Sequence, residues 1–218
     1  MMVSQLYQKR FTIFLFSFLL MLFGDIFVSK NWETELENLL ILQNMLISYL
    51  LFLHSDKLKK LVIGVLIFFG IASRFYQQTS DDTSTIFFVF TYLLYFLLVS
   101  YQLFNVLLYH KVSGIETISA VFCGFILLGT AFSFAFVAMD HSFGAFQKPV
   151  GSGGFTDFLY FSFITLLTIG YGDIIPVTEI SKKAIILLGL LGHFYTVFVM
   201  AIVIGKFLRQ ETINESEY

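Results

Sequence analysis

The chain has 218 residues, of which 57% are hydrophobic, 19% aromatic and only 13% charged, with a formal net charge of -2. A water-soluble domain of this length cannot bury so much apolar surface, so this composition implies a lipid bilayer as solvent. The net charge by itself says nothing about nucleic acid, and no Lys/Arg cluster suggests such a partner. The single cysteine, Cys123, excludes an intramolecular disulfide and a cysteine-based zinc site.

In chain order, six segments are long enough to cross about 30 Å of hydrocarbon at about 1.5 Å per residue: 11–29, 37–54, 59–77, 85–109, 116–139 and 183–208. The first follows Lys9-Arg10 but has no clear small-x-small cleavage site, so it reads as an uncleaved helix rather than a signal peptide. The lone Trp32 stands at a segment end, where interfacial aromatics belong. Residues 1–112 form a front domain of four helices. The fourth, Ile86 to Tyr109, contains no Arg or Lys; its polar residues are Thr91, Ser100, Gln102 and Asn105. The second has Gln43 and Asn44 but no acidic residue in its middle. Moving a charge across a membrane field is worth about 2.3 kcal/mol per 100 mV, and this helix offers the field no charge to move. Arg74 and Asp25 fall near outer helix ends, where a snorkelling side chain or a mutual pair both fit. Only His110 to Ile115 separates the fourth span from the fifth, too short for a long interfacial lever, so each front domain is expected to pack against its own pore domain.

The pore domain, 113–210, has an outer helix at 116–139, a pore helix at 155–167, a filter at 168–173 and an inner helix at 183–208. Residues 140–154, with Gly144, Pro149, Gly151, Gly153 and Gly154, read as an outer turret; no Lys-Ser/Thr and helix start follow, as a nucleotide loop requires. The run 155–167 is too short to span, and it reads as re-entrant, because non-helical backbone at membrane depth survives only where it is buried or lines water. It leads into Thr165-Leu166-Leu167-Thr168-Ile169-Gly170-Tyr171-Gly172-Asp173. Glycines one residue apart accept positive φ without penalty and let consecutive carbonyls turn the same way. Four copies around an axis would stack rings of carbonyl oxygens that replace the water shell of a cation.

This segment resembles the TxxTxGYGD signature of the potassium channel family, with Ile169 where Val is commonest. The specific resemblance covers 116–208; the front helices match only in number and topology. It implies an all-α membrane protein whose K+ sites are the carbonyls of Thr168, Ile169, Gly170 and Tyr171, with the Thr168 hydroxyl completing the innermost one, and Gly172 and Asp173 closing the outer mouth. Ile169 and Tyr171 would point away from the axis and brace the strand. The ring of Asp173 would concentrate cations at the entrance. Tyr160 and Phe161 stand where many members carry paired Trp, so Tyr160 either donates to Asp173 or simply packs. Ile164 replaces a Glu of some bacterial members, so a carboxyl pair behind the filter is absent. Gly192 falls on the family's hinge position, and Gly192, Thr196, Met200 and Ile204 share one face expected to line the cavity and gate. Glycine in a membrane helix is equally a close-packing device. His193 either titrates near neutral pH or packs beside the filter's support.

With an inner N-terminus, the inside receives Lys9, Arg10, Lys57, Lys59, Lys60, Lys111, Lys206 and Arg209, and the outside receives Lys30, Arg74, Lys148, Lys182 and Lys183. That is a positive-inside bias, and it directs the filter outward. Both termini are then cytoplasmic and the protein is multi-pass in the cell membrane. The tail 211–218 is too short for a ligand-binding domain, leaving regulation to the membrane, pH, lipids, ions or a separate regulatory protein. One filter per chain is a quarter of a pore, which requires a homotetramer. The reading is a non-enzymatic potassium-selective channel subunit with no cofactor beyond the permeant K+, and without steep voltage gating. The alternatives are a less selective cation channel, against which the intact Gly170-Tyr171-Gly172-Asp173 argues, or a non-conducting accessory subunit. A potassium uptake transporter would carry four degenerate pore repeats, and this chain has one. The four histidines (His54, His110, His141 and His193) lie on different segments without metal-ligand spacing.

Overall fold

The computed structural model describes residues 7–27, 33–53, 55–76, 82–109, 114–151, 153–199, 201 and 205. Seven α-helices follow one another among them: α1 (Arg10–Phe23), α2 (Glu33–Ser48), α3 (Lys57–Tyr76), α4 (Asp82–Tyr109), α5 (Gly114–Phe143), α6 (Phe155–Leu166) and α7 (Glu179–Phe194). Two-residue strands β1 (Phe146–Gln147) and β2 (Ile175–Pro176) pair antiparallel, Phe146 opposite Pro176 and Gln147 opposite Ile175. Lys30, Trp32, His54, Asp81, the 110–113 linker, Met200, Ile204, the tail 211–218 and the side chains of Asp25 and Arg74 lie outside the described residues.

Three helical stretches are long and apolar enough to cross a membrane: Val89–Val106, Ile115–Phe143 and Glu179–Val197. Arg10–Phe23 and Leu39–Phe52 are apolar but shorter. Each of the first two helices is extended by a 3₁₀ turn, Gly24–Phe27 after α1 and Tyr49–Phe52 after α2. At about 1.5 Å per α residue and about 2.0 Å per 3₁₀ residue, each combined rod reaches about 30 Å.

α5 is the hub. It packs along α1 and α4 on one side and along α6 and α7 on the other, while α1, α2, α3 and α4 contact one another in chain order. α1 and α4 therefore lie against the α5 of the same chain. Phe11, Phe14, Phe18 and Met21 form the buried stripe of α1 at helical spacing. Tyr92 and Phe96 of α4 stack on Phe134 of α5 with centroids 4.9 and 5.4 Å apart.

In lipid, burying apolar side chains gains little over leaving them among acyl chains, so close packing and hydrogen bonds between helices carry the association. The front bundle supplies such bonds with neutral groups. Gln43 and Asn44 of α2 donate to Ser17 Oγ of α1 at 3.2 and 3.1 Å. Gln102 of α4 donates to the Leu51 carbonyl and to Ser55 Oγ at 3.3 and 2.8 Å. The buried charged residues, Arg10 and Glu116, sit at the helix starts. Glu116 in the first turn of α5 accepts the backbone N–H groups of Phe11 and Thr12 at 2.9 and 3.3 Å, and also the Thr12 hydroxyl. A carboxylate from α5 thus satisfies N–H donors that the first turn of α1 leaves open, at the positive end of that helix.

Candidate ion pathway

α5 ends one turn beyond the predicted 139, at Phe143. Asp140 fixes the turn that follows: its carbonyl accepts from the Gly144 N–H at 2.8 Å, its carboxylate accepts from the Phe146 N–H at 3.2 Å, and the same carboxylate pairs with Lys148. The turret is therefore built rather than merely glycine-rich. β1 holds β2, the Ala145 carbonyl accepts from the Val177 N–H at 3.0 Å, and Ser181 Oγ donates to that carbonyl at 2.9 Å. The chain leaving Asp173 is thereby clamped to the chain leaving α5.

α6 begins where predicted. Asp157, three residues in, accepts from the N–H groups of Gly153 and Gly154 at 2.6 and 3.0 Å, a carboxylate at the positive end of the helix. Ser133 Oγ of α5 donates to Ser162 Oγ at 3.1 Å and fixes α6 against the outer helix. Phe161 and Ile164 are buried with Phe136, Phe146, Phe158, Leu166, Ile174 and Leu188, so both residues named as filter support belong to one aromatic-rich cluster. Phe161 lies 5.5 and 5.6 Å from Phe136 and Phe146. Tyr160 stands apart from that cluster at 40% exposure, with its hydroxyl hydrogen-bonded to and acted on by the charge of Asp173. Of its two sequence readings, the geometry favours the donor to Asp173.

The backbone from Thr168 to Gly172 has an alternating hand. Thr168, Gly170 and Gly172 have φ of 57, 58 and 79°, whereas Ile169 and Tyr171 between them do not have positive φ. Alternation between left- and right-handed conformations turns successive peptide units the same way, with carbonyls along one edge and N–H groups along the other. The N–H edge faces α6: Thr168 donates to the Thr165 carbonyl at 3.0 Å, and Ile169 and Gly170 both donate to the Ile164 carbonyl at 2.8 and 3.2 Å. These bonds use carbonyls that the end of α6 would otherwise leave unpaired. A β-branched residue in the left-handed region costs about 1–2 kcal/mol, so Thr168 is held in a strained conformation. Ile164 thus contributes through its backbone as well as its side chain, which residue type alone could not reveal.

Thr168 to Asp173 are all exposed in the single chain, with Ile169 at 48% and Tyr171 at 72%. Among the described residues those two side chains are largely uncovered.

α7 starts at Glu179, four residues before the predicted 183, because Thr178 caps it: Thr178 Oγ1 accepts from the Ser181 N–H at 3.3 Å. Gly192 is buried, and a Cβ there would come within 2.5 Å of Leu166 Cδ2, so this glycine seats the end of α6. That favours the packing reading over the hinge reading. The departure from α geometry lies just below, in a π turn over Tyr195–Val199. Thr196 is exposed, and its hydroxyl bonds back to the Gly192 and His193 carbonyls at 3.2 and 3.0 Å. His193 is exposed rather than packed within its own chain. Tyr195 is the anchor that the sequence did not reveal. Its hydroxyl donates to the Val121 carbonyl at 2.5 Å, and its ring lies 5.9 Å from both Phe104 of α4 and Phe125 of α5. Among the described residues no group of three or more His, Cys, Asp or Glu converges as a metal site.

Residues 120–209 match the family model described as an ion channel, a stretch that takes in most of α5, the turret, α6, the filter and α7. Nothing among curated proteins and nothing among solved structures matches the chain. The match supports an ion channel in a membrane, carried by this part of the sequence.

Proposed function

We propose that the protein is one subunit of a homotetrameric, potassium-selective channel that conducts K+ passively across the cell membrane, with both termini cytoplasmic. The observation that carries this reading is the alternating φ from Thr168 to Gly172, with N–H groups turned onto α6 and the carbonyl edge free. A row of carbonyls, with no charged side chain among Thr168 to Gly172, suits a weakly hydrated monovalent cation that can enter and leave. Four chains around an axis would supply the other three walls and cover Ile169 and Tyr171, which their own chain leaves exposed. Asp173, held by Tyr160, would ring the outer mouth and raise the local cation concentration.

Six spans suit the helix lengths once the 3₁₀ turns are counted. The neutral hydrogen bonds of the front bundle suit a domain that does not move charge through the field, so gating is only weakly sensitive to voltage.

Proteoliposomes loaded with K+ or with Na+, with barium added outside, test the reading. Potassium-selective, barium-sensitive flux is expected. Equal K+ and Na+ flux would replace the proposal with a less selective cation channel, and no flux from a verified tetramer would favour a non-conducting accessory subunit.

A further inference from the structure

α7 presents three faces below its outer end. Leu188, Gly192 and Tyr195 are buried on their own chain. At about 100° per residue, one flank of that face carries Leu187, Leu190, Leu191 and Phe194, all apolar and exposed. The other flank carries Gly189 and His193, four residues apart on one helix edge, with the exposed Ile186 at its border and the exposed Thr196 and Val197 in the π turn that follows. A Cβ on Gly189 would meet nothing within 4 Å, and His193 and Thr196 are exposed. An ionisable side chain at membrane depth faces water or a partner rather than lipid. Of the two exposed flanks, the small and polar one therefore faces water, and the leucine-rich one faces lipid or a neighbouring chain.

The depth of His193 follows from Gly192, which touches Leu166, two residues before Thr168. The imidazole thus stands level with the inner end of the filter. Among the described residues no hydrogen bond or ion pair holds it. The titratable and charged groups on the elements around α7 are engaged or positioned elsewhere. Asp157 bonds Gly153 and Gly154, and Tyr160 faces Asp173. Asp140 pairs with Lys148, and His141 lies beside it at the end of α5. Glu116 caps α1, and Cys123 Sγ lies 3.6 Å from the Phe11 carbonyl. Glu179, Lys182 and Lys183 sit in the first turns of α7, and Tyr195 is on Val121.

We infer that His193 is the ionisable residue of the ion pathway: four imidazoles ring the water-filled chamber beneath the filter and set its charge. This deepens the channel reading and rests on it. Imidazole gains its proton between about pH 8 and 5. The neutral ring leaves the chamber open to K+; the protonated ring opposes cation entry to the innermost site at Thr168. Acid therefore slows K+ flux without altering the filter that selects K+ over Na+.

The test is K+ and Na+ flux from proteoliposomes buffered on both sides at about pH 8 and about pH 5.5, for the native chain, His193→Gln and His193→Lys. Expected is a K+ flux reduced about threefold or more by acid in the native chain, a flat response in His193→Gln, and low flux at both pH values in His193→Lys. The K+/Na+ ratio should be unchanged between the native chain and His193→Gln. K+-selective flux with the same acid response in native and His193→Gln protein, or with no acid response at all, overturns the inference while leaving the channel reading standing. No selective flux from any of the three at either pH overturns the channel reading and this inference with it.

Discussion

Gly124 and Tyr195 make the sharpest mechanical prediction. Tyr195 reaches from the π turn below α7 into α5, and it fits because residue 124 has no side chain. A methyl added at Gly124 would stand 3.1 and 3.2 Å from Cζ and Cε2 of the ring and would overlap the hydroxyl. That hydroxyl cannot simply swing away, because it donates to the Val121 carbonyl at 2.5 Å and the ring is flanked by Phe104 and Phe125. Gly124→Ala should gain about 1 kcal/mol of helix propensity. Against this stand about 1–3 kcal/mol for forcing a methyl into a packed site and about 0.5–1.5 kcal/mol for the displaced hydrogen bond. The net expectation is a loss of about 1–3 kcal/mol. Tyr195→Phe alone should lose only the hydrogen-bond part, and Gly124→Ala should cost less in the Phe background, because the overlapping oxygen has gone. Equilibrium denaturation in mixed micelles, followed by circular dichroism for the four proteins of this cycle, measures the coupling. A neutral or stabilising Gly124→Ala, or an equal cost in both backgrounds, would refute the account of how α5 and the inner helix fit together.

Gly172→Ala should abolish K+ flux or its selectivity although a Cβ there meets nothing within 4 Å; the cause is the φ of 79°, and unchanged K+-selective flux would contradict the filter assignment. Glu116→Ala should destabilise the protein by about 1–3 kcal/mol, because N–H groups of Phe11 and Thr12 lose a charged acceptor, whereas Glu116→Gln should recover part of that loss; denaturation midpoints compare the two. Asp140→Ala removes the partner of Lys148 and the acceptor of the Phe146 N–H, so β1 loosens and the Val177 amide, which donates to the Ala145 carbonyl, should exchange faster with deuterium, with α1 to α3 unaffected. Conductance–voltage curves should be shallow, and several gating charges per channel would overturn the neutral reading of α4.

Composition alone dictated the membrane, because no fold of 218 residues hides 57% hydrophobic residues from water. Spacing alone pointed to the positive φ of Gly170 and Gly172, because two glycines one residue apart between apolar segments serve a purpose that side-chain packing does not require. The order of the helices and the lack of charge in α4 were equally legible, since length and charge are local properties. Helix ends were less so. α7 starts early because the Thr178 hydroxyl accepts the Ser181 N–H, a capping signal present in the sequence but lying outside the apolar run. The rest depended on residues far apart meeting in space. Gly192 has two readings on a helix wheel, and only the approach of Leu166 favours one. The π turn over Tyr195–Val199 departs from α spacing, and ideal helical periodicity in the sequence does not announce it. Tyr195 looks like any aromatic until its hydroxyl is found on Val121, and Glu116 looks like a first-turn acid of its own helix until it is found capping α1. Hydropathy and spacing report what each segment prefers by itself; which partner satisfies a buried polar group is a property of the packed pair, and it is written in neither segment alone.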